Sequence, residues 1–343
     1  MPQLARRALS AVAVTGLLAT AAGVAAAPAA AAPAAPTGTP PATPCVVETL
    51  PEPAGMYRAD ALNTDPTGRF VIGSALRVTD QGTENFILRW DRGELTTIPA
   101  PTGESAYDVN AHGVIVGNRQ VDGTSQPWVY RNGTFVRLPE PANAQQTFVS
   151  AINRAGDIVG YAYDDDTGEA SALQWPAARP GTVVKLRSTP PDVLAMDITR
   201  NGTIVGFTRE EETAPRTSWV RWPGGRYAAL TVPNAEWAQV VAAQGRWAVG
   251  AASLIDGDIV AVRWNLGTGG YTRLHPNALG AADINSRGTA IAGHWLIRGN
   301  TFRELPMPDG TRTAAGRAIA NDGSIVGFSN TNGRVAAVRW TGC

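Results

Sequence analysis

Beyond about residue 45, apolar and polar residues alternate with a period of two in runs of four to seven, and no stretch shows the three-to-four spacing of an amphipathic helix. The clearest example runs from Tyr107 to Pro139. A short run ends at Val109-Asn110, turns at Gly113 and continues into Val114-Ile115-Val116-Gly117. A turn at Asp122-Gly123 leads to Trp128-Val129-Tyr130, and a turn at Asn132-Gly133 leads to Phe135-Val136-Arg137-Leu138-Pro139. Asp-Gly and Asn-Gly between β-branched or aromatic runs predict tight hairpins, because both central positions of the turn need positive φ. The stretch therefore predicts four strands joined by three turns.

Degraded copies of this stretch fill the rest of the chain. A turn glycine recurs at Gly68, Gly113, Gly156, Gly202, Gly245, Gly288 and Gly323. A second glycine recurs at Gly73, Gly117, Gly160, Gly206, Gly250, Gly293 and Gly327. Four strand-like runs in a period in the forties match a propeller blade. The expected fold is all-β, a seven-bladed β-propeller, with apolar pairs such as Val71-Ile72, Ile204-Val205 and Ile325-Val326 buried between blades. The sixth copy is shorter, since Trp295-Leu296-Ile297-Arg298 follows Gly293 almost directly. Its middle hairpin should be truncated.

The seventh copy stops at Cys343, three strands in, and the missing strand is at the other end of the chain. Cys45-Val46-Val47-Glu48-Thr49-Leu50-Pro51 matches the closing strands Leu95 to Pro99 and Thr134 to Pro139 in its aliphatic-proline ending. The only two cysteines lie at this seam, so Cys45 and Cys343 are expected to be bonded across it in an exported protein.

Export is expected from residues 1–32. Arg6-Arg7 precede an apolar run from Ala8 to Val24, and alanine triplets at 25–27 and 30–32 suit cleavage of a signal peptide. Residues 33–44 form an Ala/Pro-rich linker with too little apolar surface to fold. The propeller then occupies residues 45–343, and the protein is expected to be secreted and extracellular, with no membrane span after processing. Formal charge is zero, from 29 basic and 29 acidic residues, which leaves no electrostatic footprint for nucleic acid.

The succession of Asp-Ile-Asn, a turn glycine, Ile-Val-Gly, an aromatic-rich third strand and a closing Leu-Pro resembles the bacterial extracellular HAF-type repeats, over roughly Gly55 to Trp340. The resemblance implies export and a propeller-like repeat fold, and brings no biochemical activity with it. The chain departs from the His-Ala-Phe signature, with Asn85-Phe86, Pro127-Trp128 and Ala172-Leu173 in its place. A WD-type propeller does not fit, since Trp90-Asp91 is a single instance.

Asp108, Asp197 and Asp283 recur five residues before the turn glycine, with Asn110, Asn153 and Asn285 two positions later. On an innermost strand such groups could face the channel mouth, so Asp108, Asn110, Asp197, Asp283 and Asn285 are binding candidates. The competing reading, favoured by their recurrence, is Asx-type bonding to nearby amides. Of ten tryptophans, Trp90, Trp175, Trp222, Trp264 and Trp340 sit at the repeated third-strand position and read as packing between blades. Trp219, Trp237 and Trp295 fall outside that pattern and are candidates for a surface aromatic platform. The acidic stretches at Asp164-Asp165-Asp166 and Glu210-Glu211-Glu212 lack calcium-loop spacing and read as solvated hairpin tips. His112, His275 and His294 occupy different repeat positions, and neither a metal site nor a cofactor is expected.

The sequence has no Gly-x-Ser-x-Gly elbow and no phosphate-cradling glycine loop. The favoured expectation is a monomeric secreted binding or interaction module without catalysis, taking an extracellular protein, a cell-wall polymer or a small ligand. The alternative is a secreted lyase or hydrolase with an acidic site at the channel mouth.

Overall fold

The computed structural model of the protein describes residues 44–187, 190–209 and 216–343. The signal peptide, nearly all of the linker and Glu210-Glu211-Glu212 lie outside the described residues. Every regular element among the described residues is a β-strand, 28 in all. The strands form seven four-stranded antiparallel units, five as separate sheets and two joined in one eight-stranded sheet through a single parallel pair, Arg58 with Val335. The innermost strands of successive units are Arg58–Thr64, Ser105–Val109, Ala144–Ile152, Val193–Ile198, Ala235–Gln244, Asp283–Ile284 and Thr313–Ile319. The fold is a β-propeller.

Turn chemistry sets the hairpins. Asp122-Gly123, Asn132-Gly133 and Asn332-Gly333 all have positive φ at both residues, the type I′ pattern that suits strand twist. All seven turn glycines also have positive φ, from 62° at Gly245 to 94° at Gly323.

The second glycine has a different reason. Every inner strand except the two-residue one of unit six carries a bulge, for example between Ala106 and Asp108 and between Ala195 and Asp197. The extra residue pushes a carbonyl of the inner strand against the second strand. A Cβ at Gly73, Gly117, Gly160, Gly206, Gly250 or Gly327 would overlap the backbone oxygen of Asp60, Ser105, Phe148, Leu194, Gln239 or Ala315. In the sixth unit the register corrects the sequence alignment. Asp283 pairs with Ile291 as Asp108 pairs with Val116, so Ala292 holds the second-glycine position. The inner strand there starts only at Asp283, and no inner-strand residue is paired with Ala292. Gly293 belongs to the hairpin joining Thr289–Ala292 to Trp295–Arg298, which is truncated as expected.

The core is divided among the unit boundaries. Phe70, Ile72 and Ile87 of unit one meet Val109, Ile115 and Trp128 of unit two. Equivalent apolar clusters join each later pair, and Ala318, Val326 and Ala337 of unit seven meet Ala61, Val71 and Trp90 of unit one. The units are therefore linked cyclically. All seven second-strand apolar pairs are buried to 5% exposure or less.

The seam closes as the sequence implies. Val46–Thr49 pairs antiparallel with the last strand, Arg334–Thr341, as the outermost strand of unit seven. Cys45 and Cys343 are disulfide-bonded, with Cα atoms 4.4 Å apart.

The tryptophans follow a two-unit period that the single-unit alignment conceals. In units one, three, five and seven, Trp90, Trp175, Trp264 and Trp340 occupy one register position of the third strand. Each indole donates to a carbonyl at the end of the preceding unit's outer segment: Pro51, Pro139, Thr231 and Pro306, at 2.7, 2.8, 3.3 and 2.7 Å. In units two, four and six the tryptophan stands two residues earlier, as Trp128, Trp219 and Trp295, directly opposite Gly117, Gly206 and Ala292. Trp222 is corrected: the register position belongs to Arg221, and Trp222 follows the strand end with Arg226 3.7 Å above its ring.

Candidate functional site

The bulged inner strands surround a cavity of about 320 Å³ lined by residues from all seven units. Its wall contains the bulge residues Leu62, Ser150, Met196, Val241 and Arg317, with Ala282 at the corresponding place just before the inner strand of unit six. The next position along the strands is Asn63, Asp108, Ala151, Asp197, Ala242, Asp283 and Ala318 in unit order. Carboxylates alternate with alanines there. Further along, the turn residues Arg154, Arg200 and Asn321 and the strand-end residue Gln244 complete this part of the lining.

The alternation has a hydrogen-bonding cause. In each unit the residue after this position has a backbone N–H that needs an acceptor. Asp108 Oδ1 accepts from Val109 N–H in its own unit at 2.8 Å, and Oδ2 accepts from Ile152 N–H in the next unit at 2.8 Å. Asp197 serves Ile198 at 2.6 Å and Ala243 at 2.6 Å. Asp283 serves Ile284 at 2.7 Å and Ile319 at 2.7 Å. One carboxylate thus satisfies two units, and the unit that receives the second bond carries alanine. Seven is odd, so unit one remains. There Asn63 Oδ1 accepts from Thr64 N–H at 2.8 Å, while its amide donates to Asp108 Oδ1 at 3.0 Å. An amide at this place avoids setting a fourth carboxylate beside Asp108.

The three carboxyls are partly accessible along the channel, yet burial dominates their acidity. Burial pushes Asp108 well above the usual carboxyl range, with Asp197 and Asp283 adding to the rise. Burial raises Asp197 to about 6 and Asp283 to about 7, against the opposing pull of the N–H donors. With both oxygens engaged, these groups act as clasps between units. All three line the axial cavity, the place expected of the channel-mouth candidates, and each of their oxygens there accepts one backbone N–H.

Asn110 and Asn285, each 2% exposed, do not line the cavity and are corrected as binding candidates. Asn110 Oδ1 accepts from His112 and Val114 N–H groups, and its amide donates to the Asn153 carbonyl of the next unit at 3.2 Å. Asn285 repeats this with Arg287, Thr289 and the Ala320 carbonyl. These are Asx turns extended into a link between units.

Of the surface aromatic candidates, Trp219 is corrected, while Trp237 and Trp295 keep part of their surface exposed. Trp219 is fully buried against Gly206. Trp237 is half-buried, with Arg216 5.8 Å from its ring centroid. Trp295 is half-buried under a stacked His275 at 4.3 Å. None of the three lines the cavity. Asp164 accepts from Asp166 and Thr167 N–H groups, which makes its loop an Asx-stabilised hairpin tip.

The cationic lining was missed by the sequence reading. Arg154 and Arg200 are the first turn residues after the inner strands of adjacent units, and Arg317 is the bulge residue of unit seven. Their signal was available in the shared place of Arg154 and Arg200, two residues before Gly156 and Gly202.

No family model matches the sequence, and no curated protein matches it. Solved structures do match. The β-propeller domain of the Trilobed protease from Pyrococcus furiosus is similar with a TM-score of 0.59 at 13% identity, covering 83% of this chain and 96% of that one. A Mycobacterium tuberculosis puromycin-hydrolyzing peptidase gives 0.53 at 14% identity, covering 84% of this chain and 54% of that one. A puromycin hydrolase gives 0.51 at 15% identity, covering 80% and 50%. The chain spans about half the length of these last two proteins. At such identities the likeness is one of fold. The expectation of a binding module without catalysis is corrected on this finding, since these three propellers come from a protease, a peptidase and a puromycin hydrolase; for this chain the finding carries the fold alone.

Proposed function

We propose that the protein is the propeller of a hydrolytic system and that its axial cavity takes in short peptide-like substrates. The observation that carries this reading is the 320 Å³ cavity reached by all seven inner strands. It falls at the lower end of small-ligand sites, which span about 300–1,000 Å³. A cavity of that size admits a narrow chain segment and excludes a folded domain. The hydrolytic part of the proposal draws on the named roles of the proteins that share the fold, a protease, a peptidase and a puromycin hydrolase. With the carboxyls committed to backbone N–H groups, the propeller's own part is admission and positioning of the substrate. Export and membership of the HAF-type repeat proteins belong to the same proposal.

The test is amide hydrolysis by the protein purified intact from its native source. Turnover of short peptide amides is expected in the mild preparation, with loss after a high-salt wash and recovery when the wash is added back. A preparation that never turns over any peptide amide would overturn the reading.

A further inference from the structure

The cavity lining contains six charged side chains: Asp108, Asp197 and Asp283, and Arg154, Arg200 and Arg317. The two signs are not equivalent. Every carboxylate oxygen accepts a backbone N–H, so the acidic groups are engaged by the wall that holds them. The arginines are exposed and carry no ion pair among the described residues, and Arg317 only covers the Phe328 ring at 5.0 Å. Arg154 and Arg200 are adjacent around the ring, at the same place in consecutive units, and Gln244 and Asn321 share that end of the cavity. Beyond the clasp level stand Leu62, Met196 and Val241, an apolar set four residues back along the inner strands.

We propose that the Arg154–Arg200 pair captures the free carboxylate of a short peptide, whose body extends along the axis past the clasps toward Met196 and Val241. Two guanidinium groups give a planar anion charge-assisted bonds with defined geometry, which suits a carboxylate. The cavity of about 320 Å³ offers Leu62, Met196 and Val241 to the side chains of a short peptide. The inference rests on the proposed function for peptide-like substrates and assigns their recognised end.

The test uses calorimetry on the purified propeller with three probes: an N-acetylated tripeptide with a free carboxylate, the same peptide as its C-terminal amide, and acetate. The acid is expected to bind at least about tenfold more tightly than the amide, as the loss of charge-assisted bonds implies. It should also bind more tightly than acetate, which lacks a body to fill the axis. Arg154→Ala with Arg200→Ala should abolish the preference for acid over amide. Arg287→Ala with Arg303→Ala, a change of equal charge outside the cavity, should leave it intact. Equal binding of acid and amide, an acid preference that survives the double substitution, or acetate binding as tight as the peptide would each overturn the proposal. These results are independent of whether native preparations hydrolyse amides, so failure here is distinguishable from failure of the hydrolytic reading.

Discussion

Asp197 and Ala243 are joined across the boundary of units four and five by a 2.6 Å hydrogen bond, from the alanine N–H to Oδ2 of the carboxylate. The other oxygen accepts the Ile198 N–H, so one side chain closes two bulges. Replacing Asp197 by alanine leaves both N–H groups without their acceptor. A loss of about 1–3 kcal/mol is expected from the cost of unpaired buried donors. Asparagine should recover only part of this, because its second position presents donors to a donor. Urea unfolding of Asp197→Ala and Asp197→Asn checks both, and a neutral result for the alanine variant would remove the clasp from the account of stability.

The clasps also set a pH dependence. An unfolded aspartate titrates near its ordinary value of about 3.9, whereas burial places Asp197 at about 6 and Asp283 at about 7 in the folded protein. Between these values the folded state holds protons that the unfolded state has lost. Their contribution to stability is therefore full below about pH 4 and declines as pH rises to about 7. Asp91 works in the opposite sense, since its bond to Arg69 lowers it and its contribution falls away only in acid. The informative quantity is the difference between the native protein and Asp283→Asn in melting temperature from pH 4 to 8. The native protein should lose more stability over that range than the variant. An unchanged difference would mean that the N–H donors outweigh burial at this carboxyl.

The single-unit period made the fold legible, because turn glycines and alternating strands recur wherever a hairpin needs positive φ or a buried face. The two-unit period was hidden by aligning residue types instead of strand registers. Trp222 was grouped with Trp90, although Arg221 holds that register, and Trp219 was set aside although it shares the register of Trp128. The alternation of Asp108, Ala151, Asp197, Ala242, Asp283 and Ala318 was visible letter by letter. Its meaning depends on a bulge that places one carboxylate between two units, and nothing in the local sequence states that distance. Arg154 and Arg200 were overlooked because an arginine in a polar turn looks like any solvated residue until the ring brings it to the cavity.

The Cys45–Cys343 bond spans 298 residues and ties the first strand to the last. In the chain-entropy model a loop of that length contributes about 5 kcal/mol, reduced where the unfolded chain keeps residual structure. Reduction, or Cys45→Ser with Cys343→Ser, should lower the melting temperature and expose Val46–Thr49 to proteolysis first, since that outer strand is not joined to its neighbour by a hairpin turn. Cleavage sites mapped by mass spectrometry decide this. Initial cutting elsewhere would show that strand pairing alone secures the seam.

The second glycine offers the sharpest contrast between similar positions. At Gly206 a methyl group would overlap the Leu194 carbonyl on one side and the Trp219 ring on the other. Neither can retreat easily, because Leu194 belongs to the bulged inner strand and Trp219 is fully buried in the core between units three and four. Gly206→Ala should therefore cost more than about 3 kcal/mol, within the range of core overpacking and its worst cases. At Ala292 the same register position already holds a methyl, and the inner strand begins at Asp283, two residues beyond the position that would pair with it. Ala292→Gly should be a mild change of about 0.5–1 kcal/mol, the ordinary cost of glycine in a regular element. Parallel thermal melts of the two variants test whether the bulge, and not the hairpin that follows, is what demands glycine. If Gly206→Ala melts within a few degrees of the native protein, the close approach of Leu194 is not the constraint.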